Sequence, residues 1–244
     1  MKKLTFCVFS ANDEPLEQER VKLCLNSLLS QDTDESCILF FDCSKPGKGF
    51  DTPDNPDLRI IQRRTENEKG WSRSVIRNEM ALMVQTPIMC QICSDCAYSP
   101  NFARKLIEIM GDGNKLIMCR RRSSSEKQFA EIRKNGKVTP EMAKSIELYT
   151  PAACGECQCM MTSQFIGRGG YHQLIKNGRS TVGKFSETAA KDDTDLKNYV
   201  IKDRQYVNET HNIKAVWIHD ELNIWMVHLF HEERENAKYW NNNR

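Results

Sequence analysis

An α/β sandwich, with helices covering a central sheet, is the fold class that this 244-residue sequence predicts, and three observations carry the prediction. A strand-length apolar run near the start is followed by a helical stripe and then a second apolar run, a strand-helix-strand order typical of α/β layers. The chain is long enough to bury one large core without disulfide or metal staples. It shows no internal repeat, low-complexity linker or composition break, so a single domain over 1–244 is expected.

The first run, LTFCVFS (4–10), ends at polar Asn12 and Asp13, and Pro15 suits a first helical turn. Val21, Cys24, Leu25 and Leu28 then recur at helical spacing and predict a helix lying on one face of the sheet. CILFFD (37–42) reads as a second buried strand, followed by a Pro/Gly-rich loop and a third short strand around Leu58–Ile61. Between Trp71 and Val84 the apolar positions Ile76, Met80 and Met83 give another helical face, broken at Pro87.

IMCQICSDCAYSP (88–100) reads as a strand plus the loop at its carboxyl end. SPNFARKLIEIM (99–110) follows as a helix with Ser99 as cap, Pro100 at its first position and a Phe102, Leu106, Ile109 stripe. In open α/β sheets, ligands bind at such carboxyl-end loops.

The second half is less regular. It holds a basic loop, CRRRSSSEK (119–127), polar sequence to about residue 150, then CGECQCMMTSQF (154–165) and the Gly-rich GRGGYHQ (167–173). A helix is expected around DDTDLKNYVIKDR (192–204), and strands at IKAVWI (213–218) and NIWMVHLF (223–230). An irregular half on a regular α/β half suggests a substrate-binding elaboration.

With 35 basic and 33 acidic residues the formal charge is +2, which gives no global field for nucleic acid or an anionic membrane, so no nucleic acid partner is expected. After Lys2 and Lys3 the apolar run is too short for a signal segment, and no later run approaches a membrane span. Eleven cysteines without a secretion signal read as thiols of a reducing compartment, so a cytoplasmic location is expected.

Cys90-x-x-Cys93-x-x-Cys96, with Cys154-x-x-Cys157-x-Cys159, superficially fits the cysteine pairs of zinc knuckles, which commonly have two residues between ligands. Strand alternation argues against this: residues three apart on a strand point to opposite faces, so Cys90 and Cys93 could not converge on one ion unless the segment were turned, and Ile88, Met89 and Ile92 read as buried strand. Buried cysteine also behaves as a small hydrophobe. If zinc is bound, Cys154 to Cys159 suits it better, since Gly155 permits a turn.

Polar residues at loop positions form a second pattern, standing as SAN (10–12), FFDCS (40–44), GWSRSVIRN (70–78), CSDCAYSPNF (93–102), GRGGY (167–171), KDDTDL (191–196) with Arg204, and HLFH (228–231). This order, over nearly the whole chain, resembles the GT-A fold nucleotide-sugar glycosyltransferases, family 2 with features of the β-1,4-galactosyltransferase type. The resemblance implies a Rossmann-like αβα sandwich with a mixed central sheet. About 1–110 would form the nucleotide-binding half and about 111–244 the acceptor half.

The resemblance also implies roles. Ser10, Asn12, Asp42, Arg73, Arg77, Asn78, Ser94 and Asp95 would bind the nucleotide sugar, with the phosphate charge met by Arg73 or Arg77. Gly169, Gly170, Tyr171 and Asp195 would face the acceptor, and Trp71 or Tyr171 could stack on a sugar. Asp193, with Asp192 beside it, would be the catalytic carboxylate that takes the acceptor proton. Acidic residues at 192, 193 and 195 equally suit a helix start.

The family's Asp-x-Asp metal loop stands here as Cys93-Ser94-Asp95. A thiolate is a poor ligand for Mn2+ or Mg2+, so Asp95 is expected to hold the cation, with His231 and then His228 as further ligands. The expected function is inverting, metal-assisted transfer of a sugar from a UDP-type donor to a glycan or other hydroxyl acceptor. The alternatives are a zinc-stabilised binding module, using the 120–122 arginines, and a metal-dependent hydrolase.

Overall fold

The strand expected from the first apolar run, β1 (Leu4–Ser10), is buried from end to end and feeds two cores. Leu4, Phe6 and Val8 join one, while Cys7 and Phe9 join the other. The computed structural model describes residues 1–10, 14–45, 47–48, 51–63, 73–148, 157–167, 170, 175–176, 179–180, 213–218 and 224–231.

After β1 come α1 (Pro15–Leu29), β2 (Ser36–Asp42), β3 (Leu58–Gln62), α2 (Arg73–Met83), β4 (Ile88–Ile92), β5 (Cys96–Tyr98) and α3 (Phe102–Met110). The second half adds β6 (Lys115–Cys119), β7 (Arg122–Ser123), α4 (Glu126–Asn135), α5 (Pro140–Ser145), β8 (Cys157–Met161) and α6 (Thr162–Gly167). A two-stranded ribbon of β9 (Ile175–Lys176) and β10 (Arg179–Ser180) precedes β11 (Lys214–Ile218) and β12 (Met226–His228).

The central sheet has seven strands in the order β11-β6-β8-β4-β1-β2-β3. β1 pairs in parallel with β2 and β4, β2 with β3, and β11 with β6. β8 runs antiparallel to both β4 and β6, so the sheet is mixed, as expected. Alternation along each strand then builds three layers. Val21, Cys24, Leu25 and Leu28 of α1 and Phe102, Leu106 and Met110 of α3 pack on one face. Ile76 and Met80 of α2 and Phe165 of α6 cover the other. Each fully buried Phe or Leu of these layers contributes about 1.5–3 kcal/mol.

A second sheet, β5-β12-β7, stands at the carboxyl end of β4. Cys96, Tyr98 and Met226 face the main core. Ala97, Val227 and Leu229 face Phe129 and Ile132 of α4 and Ala143 of α5. This small sheet is a partition, and its upper edge carries the candidate site.

Several expectations are corrected. The polar sequence before residue 150 holds two capped helices: Ser125 and Gln128 form a reciprocal capping box on α4, and the Thr139 side chain accepts from the Met142 N–H ahead of α5. Ser99 is not the cap of α3, because the helix begins at Phe102 after Asn101; the Gln31 side chain accepts the Ala103 N–H at 2.7 Å instead. The last strand is confined to Met226–His228, shorter than the apolar run. The helix expected at 192–204 lies outside the described residues. Among those described, no helix is long and apolar enough to cross a membrane.

Candidate metal centre

β4 ends at Ile92, and the chain turns through Ser94 and Asp95 before entering β5. Two contacts hold the turn from below: the Tyr98 hydroxyl and the Cys24 thiol both donate to the Cys93 carbonyl, at 3.4 and 3.6 Å. The Asp95 carbonyl accepts the Leu229 N–H at 2.8 Å, which ties the turn to the end of β12. Main-chain pairing therefore brings residues 95 and 228–231 together before any side chain acts.

Asp95, His228 and His231 are the one group of three or more His, Cys, Asp or Glu residues among the described residues whose ligand atoms lie within 4.8 Å of one another. The Asp95 Oδ2 is 3.4 Å from His228 Nε2 and 3.5 Å from His231 Nε2. Those separations exceed the roughly 2.7–2.9 Å of a charge-assisted hydrogen bond. They fit donors arrayed around one ion, since ligands about 2.1 Å from a metal lie about 3.0–3.4 Å apart. The two imidazole rings meet edge to face, 5.0 Å between centroids. All three side chains keep some exposure, 21% for Asp95, 16% for His228 and 27% for His231, so an ion and a further ligand can reach them.

Burial raises the pKa of Asp95, but the imidazoles of His228 and His231 outweigh it and hold the carboxyl well below its ordinary value. The group is thus a carboxylate, ready to bind a cation, across the neutral range. Two imidazoles and a carboxylate make a donor set that suits a first-row divalent metal such as Mn2+ better than the all-oxygen shell Mg2+ prefers.

Ser124 was not singled out in the sequence, yet it fastens the histidine segment. Its main-chain N–H and its hydroxyl both donate to the His228 carbonyl, at 3.0 and 3.1 Å, and its Oγ accepts the Phe230 N–H at 2.9 Å. Arg20 of α1, buried with its guanidinium 5.9 Å from the Phe129 ring, donates to the Phe230 carbonyl at 3.3 Å. Both sit far from the ligands in sequence, and only the partition sheet brings them there.

The cysteines take the other role. Cys24, Cys90, Cys96, Cys119, Cys157 and Cys159 are buried in the α1/α3-facing core, and Cys93 packs against it from the turn. The segment is turned, since β4 ends before Cys93, so strand alternation does not itself separate Cys90 from Cys93. Cys90 and Cys157 sulfurs lie 3.8 Å apart inside the core, but among the described residues no group of three cysteines brings its ligand atoms within 4.8 Å of one another. Burial pushes the Cys7, Cys24 and Cys90 thiols up, as for cysteines packed as small hydrophobes. Cys154 lies outside the described residues.

The remaining expected residues are distributed around this centre. Ser10 and Asp42 are register partners at the carboxyl ends of β1 and β2, next to β4. Asp42 is buried, with Oδ1 accepting from the Ser44 N–H at 3.0 Å and from its hydroxyl at 2.5 Å, and Oδ2 accepting from Gln62 at 2.9 Å. Arg77 is buried with its guanidinium 5.7 Å from the Phe9 ring, on the α2 face of the sheet. Ser94 is half-buried beside Asp95.

Gly170 and Asn78 meet closely. Gly170 has φ +74°, and a Cβ there would lie 2.4 Å from the Asn78 Oδ1. A residue expected in the acceptor half thus packs on a helix expected in the nucleotide half. Arg73 begins α2, and nothing further is described of its side chain. Asn12, Trp71, Gly169, Tyr171, Asp192, Asp193 and Asp195 lie outside the described residues.

No protein-family model matches the sequence, and no curated protein does. Solved structures do match. A mannosyltransferase, PcManGT from Pyrobaculum calidifontis, in complex with GDP-Man and Mn2+, aligns with a TM-score of 0.55 at 17% identity, over 97% of this chain and 59% of that one. S. aureus TarS 1-349 in complex with UDP-GlcNAc aligns with a TM-score of 0.54 at 12% identity, over 96% of this chain and 60% of that one. The chain thus spans about 60% of the length of these two structures. At such identities the likeness shows the fold alone, in this chain a mixed seven-stranded α/β sheet flanked by helices.

Proposed function

We propose that the chain is an inverting glycosyltransferase of the GT-A type that moves a sugar from a UDP-type nucleotide sugar to a hydroxyl acceptor with a divalent cation. The observation that carries the reading is the Asp95, His228 and His231 cluster at the carboxyl end of β4, where sheets of this class bind ligands. It is supported by a fold shared with structures solved with GDP-Man and Mn2+ and with UDP-GlcNAc.

In this reading Asp95, His228 and His231 hold Mn2+ or Mg2+, which would supply the positive charge that a departing nucleoside diphosphate needs. Ser10 and Asp42, at the ends of β1 and β2, frame the nucleoside together with Asn12, and Ser94 and Asn78 also bind the nucleotide sugar. Arg77 packs over Phe9 from beneath the sheet, so phosphate neutralisation falls to Arg73. Asp193 takes the proton of the acceptor hydroxyl as it attacks the anomeric carbon, and the nucleoside diphosphate leaves from the opposite side. Asp192 and Asp195 orient acceptor hydroxyls, and Gly169, Gly170 and Tyr171 also serve the acceptor. The halves 1–110 and 111–244 divide donor from acceptor binding, and the enzyme works in the cytoplasm on a glycan or another hydroxyl-bearing molecule.

The test is a thermal-shift panel of UDP, GDP and CDP sugars with and without Mn2+. A ligand at 100 times its Kd stabilises the fold by about 2.7 kcal/mol, which is about 5–11 °C for a chain of this size. Metal-dependent stabilisation by one nucleotide class, lost in His231→Ala, is the expected result. Asp193→Asn should keep that binding and lose transfer. Stabilisation by none of the panel, with or without metal, sinks the reading.

A further inference from the structure

Asp42 is 3% exposed, and its two oxygens already take three donors, two from Ser44 and one from the Gln62 amide. Gln62 itself is exposed at the carboxyl end of β3. Of the two, Gln62 is the side chain whose surface is open to a ligand.

Strand register places it. Ser10 pairs with Asp42 and Asp42 with Gln62, so three polar residues form one row across the ends of β1, β2 and β3. Two residues back along those strands stand Val8, Phe40 and Ile60, which share the α1/α3-facing core, so the row lies on that face. β1 adjoins β4, and β3 stands three strands away from β4, a distance of about 14 Å. A ligand with its phosphates at the Asp95 cluster and its ribose along Ser10 and Asp42 brings its base to Gln62.

The Gln62 amide has one orientation. Its Nε2 donates to Asp42 Oδ2 at 2.9 Å, and the flipped amide would set a carbonyl oxygen against a carboxylate, two acceptors with no proton between them. Oε1 and the second Nε2 proton are therefore left for a ligand. The strand end is held as well: the Arg63 N–H donates to the Asp42 carbonyl at 2.9 Å, and the Arg63 guanidinium makes two bonds of 2.7 Å to the Glu79 carboxylate. An acceptor beside a donor on a fixed strand end is preorganised for a flat partner with the reverse pattern.

We infer that Gln62 reads the nucleobase, its Oε1 accepting the N3–H of a uracil and its second N–H donating to the adjacent uracil carbonyl. This rests on the transferase reading above and adds to it the residue that selects the base. Asp42 then serves base selection through Gln62, by holding the amide in place.

Calorimetric titration of the full chain with UDP, N3-methyl-UDP, GDP and pyrophosphate, each with Mn2+, tests it. Methylation at N3 removes the one donor of the uracil ring, so the parent should bind UDP about 10-fold tighter than the methylated analogue. Gln62→Ala, at an exposed position, should weaken UDP by about 10-fold and bind the two uridine ligands equally. It should keep pyrophosphate at the parent's affinity, because pyrophosphate carries no base. Gln62→Met, which keeps the length without the amide, should behave in the same way. A merely structural role would weaken every ligand together and preserve the preference for UDP over its methylated form. That preference surviving in Gln62→Ala and Gln62→Met, its absence in the parent, or tighter binding of GDP than of UDP by the parent overturns the inference and leaves the transferase reading standing. No binding of UDP, GDP or pyrophosphate by the parent removes both.

Discussion

Replacing Ser124 with alanine removes one hydroxyl that neither touches an imidazole of the candidate metal centre nor lies near it in sequence. That hydroxyl donates to the His228 carbonyl at 3.1 Å and accepts the Phe230 N–H at 2.9 Å, bracketing the segment that presents both histidines. The His228 carbonyl keeps the Ser124 main-chain donor at 3.0 Å, so it stays satisfied. The Phe230 N–H loses its acceptor in a partly buried place, a cost of about 1–2 kcal/mol. For a chain of this length that lowers the melting temperature by about 2–8 °C. The larger effect is on the metal: groups that orient ligands typically account for 10–100-fold in affinity. Titration of Mn2+ into Ser124→Ala and the parent reads this directly, with Ser124→Thr, which keeps a hydroxyl, retaining most of the affinity. Mn2+ affinity and melting temperature both equal to the parent's would refute the positioning role.

Gly170→Ala should destabilise the chain by more than the roughly 1–2 kcal/mol of a left-handed backbone, because its Cβ would also meet Asn78 at 2.4 Å. Adding Asn78→Ala should recover the steric part, and thermal melts of the single and double variants measure it. The buried thiols Cys7, Cys24 and Cys90 should resist alkylation in the native protein and react only on unfolding, and these core cysteines should hold no zinc. Mass spectrometry before and after denaturation, with elemental analysis, checks both.

The strands and helices of the first half were legible because their signals are local. LTFCVFS and CILFFD are unbroken apolar runs, as strands buried on both faces must be, and Pro15 marks the start of α1. Signals for α4 and α5 were also present: Ser125 with Gln128, and Thr139 before Pro140, are cap patterns that outweigh a polar composition. Asp95, His228 and His231 could be grouped only through the order of motifs along the chain, since no spacing rule links positions more than a hundred residues apart.

The sequence by itself determined the layered α/β class and the identity of the carboxylate. Periodicity is a property of neighbouring residues, and Asp95 is the one carboxylate in its cysteine-rich loop. Only the tertiary structure decided what surrounds them. Antiparallel pairing of β12 with β5 carries His228 to Asp95, Ser124 holds it there from β7's side, and the cysteines are consigned to a dry core. At the sheet's far end Ser99 is buried, its N–H donating to the Trp225 carbonyl at 3.0 Å. Strand register between distant segments is set by how faces bury against one another, and that is decided by the whole fold at once.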